Sequence, residues 1–232
     1  NHELSSPVPS LFTFKISDPR IEGLQGVSVP HAIASTDTHQ SEGPLLITHW
    51  GLSGPAILKI SAWGARNLSQ SNYRFSVTIN WTGNESLESV QEMFHQHRRD
   101  HGVWKISKRS PIDGISKRLW QRMCETSGIV DSTTWSKVTK IQSQTLAKEL
   151  VQAKFSVDGK SLNKDEFVTC GGVSLDDVQL KSMESKEQTG LYFAGEVLDI
   201  DGITGGFNFQ AAWTTGRLAG MAIAESTSTQ SK

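Results

Sequence analysis

The sequence is poor in cysteine: only Cys124 and Cys170 occur among its 232 residues. Two cysteines cannot build a disulfide scaffold or supply a four-cysteine zinc site, so a reducing compartment is the simpler interpretation. We also expect no metal site. His97 and His101 fall on one helix face, but no nearby acidic residue completes a set of ligands.

An excess of charge of either sign is missing as well. The chain has 23 lysines and arginines against 24 aspartates and glutamates, which gives a net charge of −1. This balance excludes the basic field over the whole surface that is typical of non-specific nucleic-acid binders. Hydrophobic residues make up 36% of the chain, which is enough for a packed core.

Long apolar runs are absent. No window approaches the 18 apolar residues of a membrane-spanning helix, so we expect no membrane partner. No charged-then-apolar leader follows Asn1, and a chain that starts without Met is expected to be processed or to be a piece of something longer. We expect an intracellular, soluble protein, with a chloroplast or mitochondrial location left open.

Residues 1–83 have the pattern of strands with one helix. Apolar and polar residues alternate from Phe12 to Ile16, which predicts a half-buried strand. The turn before Pro55 predicts a helix that Ser53 caps and that runs to about Ala65.

Residues 84–153 change to helical periodicity and predict a small helical insertion. Asn84 or Ser86 can cap the first helix. The three apolar stripes are Leu87, Val90 and Phe94; Ile115, Leu119 and Met123; and Leu146, Leu150 and Val151.

Strand patterns resume after residue 153. Asp158-Gly159 predicts a hairpin, and a strand that starts at Phe167 leads into a glycine pair. Residues 191–194 predict a buried strand, a helix follows from about 205 to 224, and 226–232 is expected to be a disordered tail.

The loop between that strand and that helix, residues 195–210, is the segment most suited to chemistry. A strand, a glycine turn and a helix N-terminus together can hold an anionic or electron-rich group, because free N–H groups and the positive end of the helix dipole point outward. The alternative is a glycine-rich loop with a close-packed helix and no ligand.

Five segments in this order resemble one family, the BaiN-like (YhiN-like) NAD(P)/FAD-dependent oxidoreductases. The segments are PVPSLFTFKI at 7–16, THWGLSGPAIL at 48–58, VTCGGV at 168–173, MESK at 183–186 and GEVLDIDGITGGFNFQAAWTTGRLAG at 195–220. The resemblance covers nearly the whole chain. It implies an FAD-dependent oxidoreductase, with NAD(P)H as a candidate reductant and a small-molecule substrate.

The family also begins with a nucleotide-binding half that carries GxGxxG, and this sequence has no such motif after a strand. The resemblance therefore implies a C-terminal portion whose partner is the missing N-terminal half of the same chain. The implied fold is α+β. A strand-rich middle domain spans 1–83 and 154–186, the insertion spans 84–153, and 187–225 completes a Rossmann-like FAD-binding domain.

The resemblance assigns cofactor-binding residues. The segment that sets a helix N-terminus against the pyrimidine edge of the flavin corresponds to Thr204, Gly205, Gly206, Phe207 and Asn208. Glu196 is implied to bond the ribityl chain or phosphates, and Thr169, Gly171 and Gly172 are implied to form a turn near the ring. His49 is a candidate donor to substrate or flavin, or alternatively a strand cap; no other catalytic residue is assigned.

A different class of function competes with this interpretation. Between His95 and Arg122 eight lysines and arginines stand against Asp100 and Asp113, with Trp104 and Trp120 interleaved. Basic and aromatic residues together can bind RNA or another polyanion. The alternatives are a solvated helical surface, or a fragment that is inactive without its N-terminal half. Because the oxidoreductase interpretation is preferred, a nucleic-acid partner is not expected.

Overall fold

The computed structural model describes residues 1–161 and 168–230, with side chains placed as far as residue 227. The architecture is mixed α+β, as predicted. The strands are β1 (Leu4–Ser10), β2 (Phe14–Lys15), β3 (Ser28–Ser35), β4 (Gln40–Ile47), β5 (Gly51–Ser53), β6 (Phe75–Asn80), β7 (Ala153–Val157), β8 (Gly159–Lys160), β9 (Val168–Val173), β10 (Val178–Gln179) and β11 (Glu184–Ser185). The helices are α1 (Pro55–Trp63), α2 (Ala65–Gln70), α3 (Leu87–His101), α4 (Lys117–Thr126), α5 (Lys140–Val151) and α6 (Phe207–Gln230). Among these helices none has the length and apolar character needed to cross a bilayer.

Seven antiparallel strands form one curled sheet in the order β7-β6-β3-β4-β5-β2-β8. Its two edge strands are separated in the chain by Asp158 alone, so the sheet must bend round until its edges approach each other. The Asp158 N–H donates to the Lys15 carbonyl oxygen of β2 at 2.9 Å. The hairpin predicted at Asp158-Gly159 is therefore wrong: β7 pairs with β6, and β8 pairs with β2.

The interior of the curled sheet is closed by α1, whose Ile57 and Ile60 are fully buried. The strand predicted from Phe12 shrinks to Phe14–Lys15, because the Phe12 N–H donates to the Ser61 hydroxyl of α1 instead of to a neighbouring strand. Pro55 begins α1 as predicted, but Gly54 occupies the cap position expected for Ser53.

The helical insertion (residues 84–153) contains the three predicted helices. Ser86 caps α3 by accepting a bond from the Ser89 N–H, and α5 starts earlier than its apolar stripe because Thr139 and Gln142 form a capping box. An aromatic cluster fills the interior of the insertion: Phe94, Trp120 and Trp135.

Arginines attach this insertion to the loop between β2 and β3. Arg122 donates to the Glu22 carbonyl oxygen at 2.7 Å, and Arg118 donates to the Gly23 carbonyl oxygen at 2.5 Å. From the loop, Arg20 bonds both Asp18 and Glu149 at 2.9 Å. Part of the positive charge noted in the sequence therefore serves docking within the chain.

The C-terminal segment (residues 168–230) packs on β1, which pairs with β9 outside the curled sheet. The strand predicted at 191–194 is wrong. Left-handed Gly190 and Gly195 bound a loop in which Tyr192 makes only an isolated bridge. The helix α6 continues to Gln230, so the tail predicted over 226–232 is helical up to there; residues 231–232, like Phe167, lie outside the described residues.

Candidate functional site

The loop that leads into α6 lines two grooves, and Ile203 lines both of them. The first, here called the α6 groove, has a volume of about 600 Å³. Leu11 lines it from the segment between β1 and β2, Leu58 lines it from α1, and Val168 lines it from β9. The C-terminal segment supplies the other lining residues: Glu196, Ile203, Thr204, Gly205, Gly206, Asn208, Phe209 and Ala212. The structure thus brings Glu196 together with most of the predicted glycine turn.

The backbone of this turn requires glycine. Gly205 and Gly206 have φ values of +122° and +88°, in the region that side chains disfavour. A Cβ at Gly205 would lie 3.2 Å from the Phe207 ring, whereas a Cβ at Gly206 would meet no atom within 4 Å. The turn therefore leaves open space next to bare backbone, immediately before the first N–H groups of α6.

Asn208 holds the loop in place. Its amide oxygen accepts from the Gly202 N–H at 2.7 Å, and its amide nitrogen donates to the Gly202 carbonyl oxygen at 2.9 Å. The geometry therefore supports a role for this amide in fixing the loop.

Thr215 makes a second clamp that sequence reasoning missed. It is buried in the middle of α6, and its hydroxyl accepts from the Gly195 N–H at 2.9 Å while donating to the Ala211 carbonyl oxygen. This bond ties the start of the glycine-rich loop to α6 across 20 residues. A threonine inside a helix carries no local signal for such a contact.

The second groove, here called the α2 groove, has a volume of about 800 Å³. Trp63 and Phe207 are exposed and line it with apolar surface, beside Arg66 and Asn67. Its remaining lining residues are Ala62, Ala65, Cys170, Asp201, Gly202 and Ile203. Phe207 therefore faces this groove and not the first.

Two aspartates of the loop are anchored. Arg66 lies 3.6 Å from the Asp199 carboxylate and donates to the Ser6 carbonyl oxygen, and Asp201 accepts from the Ser10 hydroxyl at 3.2 Å. These bonds join the loop to α2 and β1.

The cysteines have unreactive surroundings. Burial raises the pKa of the Cys170 thiol, and the nearby Asp201 raises it further. Burial raises the pKa of Cys124 to about 12. Both thiols are therefore protonated at neutral pH and serve packing.

The turn predicted at Thr169, Gly171 and Gly172 is wrong, because these residues form part of β9. A Cβ at Gly172 would lie 2.4 Å from the Val197 carbonyl oxygen, and one at Gly171 would lie 2.7 Å from the Ser6 carbonyl oxygen. The glycines thus allow β1 and residues 197–198 to lie close to β9. None of the three residues lines the α6 or α2 groove.

His49 lies apart from both grooves. It is exposed in the turn between β4 and β5 and lines a separate cleft with Asp18 and Glu22. Within the described residues no group of three His, Cys, Asp or Glu side chains is placed to hold a metal ion.

One face of α6 is apolar and open to solvent. Phe209 and Trp213 are 69% and 70% exposed and stack with ring centroids 6.1 Å apart. Gly216 and Gly220 follow on this face, and a Cβ at either would meet nothing within 4 Å. The opposite face, with Ala219, packs on the small core of the C-terminal segment.

Comparison with known proteins finds relatives of this chain. Residues 8–168 match the family described as "HI0933-like protein barrel and H2TH domain". The chain is 30% identical over 220 residues to a ribosomal RNA dihydrouridine synthase of Haemophilus influenzae, covering 91% of this chain and 50% of that protein. It is 31% identical over 209 residues to a ribosomal RNA dihydrouridine synthase of Escherichia coli, covering 88% and 49%.

A third relative has a different substrate in its name. The chain is 29% identical over 228 residues to a 3-dehydro-bile acid delta(4,6)-reductase of Clostridium scindens, covering 97% of this chain and 55% of that protein. The chain thus spans about half the length of the curated relatives it matches.

Proposed function

The chain belongs to the HI0933-like family, whose relatives are oxidoreductase-like, and from that membership we propose that it is the C-terminal half of an FAD-dependent reductase. The observation that carries the proposal is the α6 groove. Its glycine turn leaves bare backbone and open space at a helix N-terminus, which suits the flat, electron-rich edge of a flavin.

Four residues of the α6 groove have a role in this proposal. Gly205 and Gly206 let the ring approach the backbone, and the positive end of α6 favours the charge that reduction places on the flavin. Glu196 accepts hydrogen bonds from polar groups of the cofactor, and Asn208 holds the turn in position. When bound, FAD supplies hydride chemistry, with NAD(P)H as the reductant.

The exposed face of α6 supports the proposal that an N-terminal half covers this helix in a longer protein. No other element of the described residues covers the apolar stripe that contains Phe209 and Trp213. Such an apolar stripe is typical of the face with which a helix packs on a sheet. We assign this face to the N-terminal, nucleotide-binding half that completes a Rossmann-like domain with 187–225.

The names of the relatives suggest one reaction class. Both a dihydrouridine synthase and a delta(4,6)-reductase saturate a carbon–carbon double bond conjugated to a carbonyl group. A hydride and a proton add across that bond, and NAD(P)H becomes NAD(P)⁺. In the α2 groove Trp63 and Phe207 offer apolar walls for a planar ring. Arg66 and Asn67 offer donors that stabilise the negative charge developing on its carbonyl oxygen.

We favour a uridine in RNA as the ring, because two of the three relatives have names that specify ribosomal RNA and because the helical insertion is locally basic. The test is to purify the longer protein, record its flavin absorbance, and follow NAD(P)H oxidation with uridine-containing RNA and with a 4,6-dienone steroid. The proposal expects a yellow protein that consumes NAD(P)H with RNA. It expects a colourless, inactive 232-residue chain. A longer protein that holds no flavin under any condition would overturn the cofactor assignment. Faster NAD(P)H oxidation with the steroid than with RNA would overturn the assignment of RNA as the substrate.

A further inference from the structure

The helical insertion carries a surface that the reductase chemistry does not use. We propose that it binds a single-stranded stretch of the RNA substrate, with phosphates in a groove between α3 and α5 and a base on an exposed tryptophan nearby. This inference rests on the proposed RNA substrate. It concerns where the RNA is held, not where it is reduced.

The groove between α3 and α5, here called the insertion groove, has a volume of about 400 Å³. His95, Arg98 and Lys140 line it, and no acidic side chain does so among the described residues. The other lining residues are Gln91, Phe94, Trp135, Val138, Ser143 and Gln144. Amide and hydroxyl donors beside three basic side chains match the acceptor-only oxygens of a phosphodiester.

Arg98 is held on the wall of this groove before any ligand arrives. It donates to the Ser136 carbonyl oxygen at 2.7 Å and to the Val138 carbonyl oxygen at 3.3 Å. A guanidinium has five N–H donors, so these two bonds fix its orientation and leave others for a phosphate. Because the Arg98 side chain is already ordered, phosphate binding does not carry the entropic cost of ordering it.

The aromatic element lies at the end of α3. The Trp104 and His101 rings stack with centroids 3.9 Å apart and 12° between their planes, and Trp104 is 53% exposed. An exposed ring held flat by a stacked partner is a platform for an unpaired base. A series of ring contacts joins the groove to the platform: Trp135 lines the groove and lies 4.8 Å from the His97 ring, which lies 4.5 Å from the His101 ring.

The charges around this surface favour a polyanion. The helical insertion has eleven lysines and arginines and eight acids, whereas the whole chain has a net charge of −1. Several of the acids are already paired: Glu92 with Arg99, Glu125 with Arg122, Asp131 with Lys105 and Glu149 with Arg20. Lys140 has no carboxylate within ion-pair distance in the described part of the chain, so its charge is available to a ligand.

The experiment measures binding of a fluorescently labelled single-stranded RNA to the 232-residue chain by anisotropy, over a salt titration. The test variants are Lys140→Glu and Trp104→Ala. The controls are Lys181→Glu, which makes the same charge change beside β10, and Val103→Ala, which truncates the exposed neighbour of Trp104. Circular dichroism melts verify that each variant is folded.

We expect Trp104→Ala to weaken binding about tenfold, as loss of one stacked base does. We expect Lys140→Glu to weaken it and to lower the slope of log K against log salt by about one. Both controls should bind as the unsubstituted chain does. Absence of salt-sensitive binding, or equal binding by all four variants, would overturn this inference. Flavin content and steroid or RNA reduction by the longer protein report separately on the proposed function, so the two failures can be distinguished.

Discussion

In the curled sheet and helical insertion Trp81, Trp120 and Trp135 are buried, whereas in the C-terminal segment Phe209 and Trp213 are exposed. The first region closes one continuous core from residues of this chain alone. The second has a core of only five buried residues and an apolar helix face with no cover among the described residues. Burial of apolar surface is the dominant stabilising term in folding. The first region therefore covers its large aromatic core residues itself, whereas the second leaves apolar surface of α6 uncovered.

The largest expected effect compares two tryptophans in the 232-residue chain. Trp120 is fully buried and donates to the Ile106 carbonyl oxygen at 2.7 Å, so Trp120→Ala should cost about 3–5 kcal/mol of unfolding free energy. Trp213→Ala should change it by at most about 0.5 kcal/mol, as expected for an exposed site. Urea titrations give both free energies of unfolding. Similar losses for the two variants would contradict the claim that Trp120 is a core residue and Trp213 is not.

The next prediction concerns the longer protein that we propose. There Trp213→Glu places a charge between α6 and its covering half, so flavin content should fall steeply and the melting temperature should drop. Thr214→Glu is the matched control, because Thr214 is the adjacent exposed residue and points off the stripe. If both variants retain full flavin, α6 is not the contact between the two halves.

A smaller effect is expected inside the loop. Asn208→Ala removes both bonds to Gly202 and should weaken flavin retention in the longer protein by about 1–3 kcal/mol, because the loop loses its clamp. Asn208→Asp keeps the acceptor for the Gly202 N–H and loses the donor, so its effect should be intermediate. The flavin dissociation constant, measured by fluorescence, tests this prediction. An unchanged constant in Asn208→Ala would contradict the role of Asn208 in holding the loop for the flavin.

Sequence reasoning succeeded where the signal is local. The Ser86 cap of α3, the apolar stripes of the helical insertion and the position of Pro55 at the start of α1 were readable, because each depends on neighbours within one or two turns. It failed at Gly171 and Gly172, since only tertiary contacts explain these glycines: β1 lies against Gly171 and residues 197–198 lie against Gly172.

The candidate site was partly predictable for the same reason. The glycine turn at 204–208 was predicted from its sequence motif and from the start of the helix that follows it. Glu196 lines the α6 groove together with this turn. The Thr215–Gly195 bond and the Arg66–Asp199 pair join residues far apart in the chain, and no pattern in the sequence predicts them. Phe207 lines the α2 groove and not the α6 groove, and a glycine pair does not determine which way the next side chain points.

The smallest expected effect is a pH dependence of stability that arises from His97, whose ring lies against Trp135 of the aromatic cluster. Burial and the neighbouring His101 and Arg109 lower the pKa of His97, while Asp100 opposes them. The folded chain therefore binds this proton less readily than the unfolded chain. Stability should be complete above about pH 6.5 and should fall as pH drops through the lowered pKa. Melts followed by tryptophan fluorescence at neutral pH and at about pH 5 measure it, and His97→Phe should reduce the difference.

The most direct test of the account replaces two glycines that have the same backbone conformation and the same free space. Gly206 and Gly190 have φ values of +88° and +82°, and an added Cβ meets nothing within 4 Å at either. Only Gly206 lines the α6 groove. In the longer protein we predict that Gly206→Val abolishes flavin occupancy per protomer and that Gly190→Val retains it. Full occupancy in Gly206→Val would contradict the assignment of this turn to the cofactor.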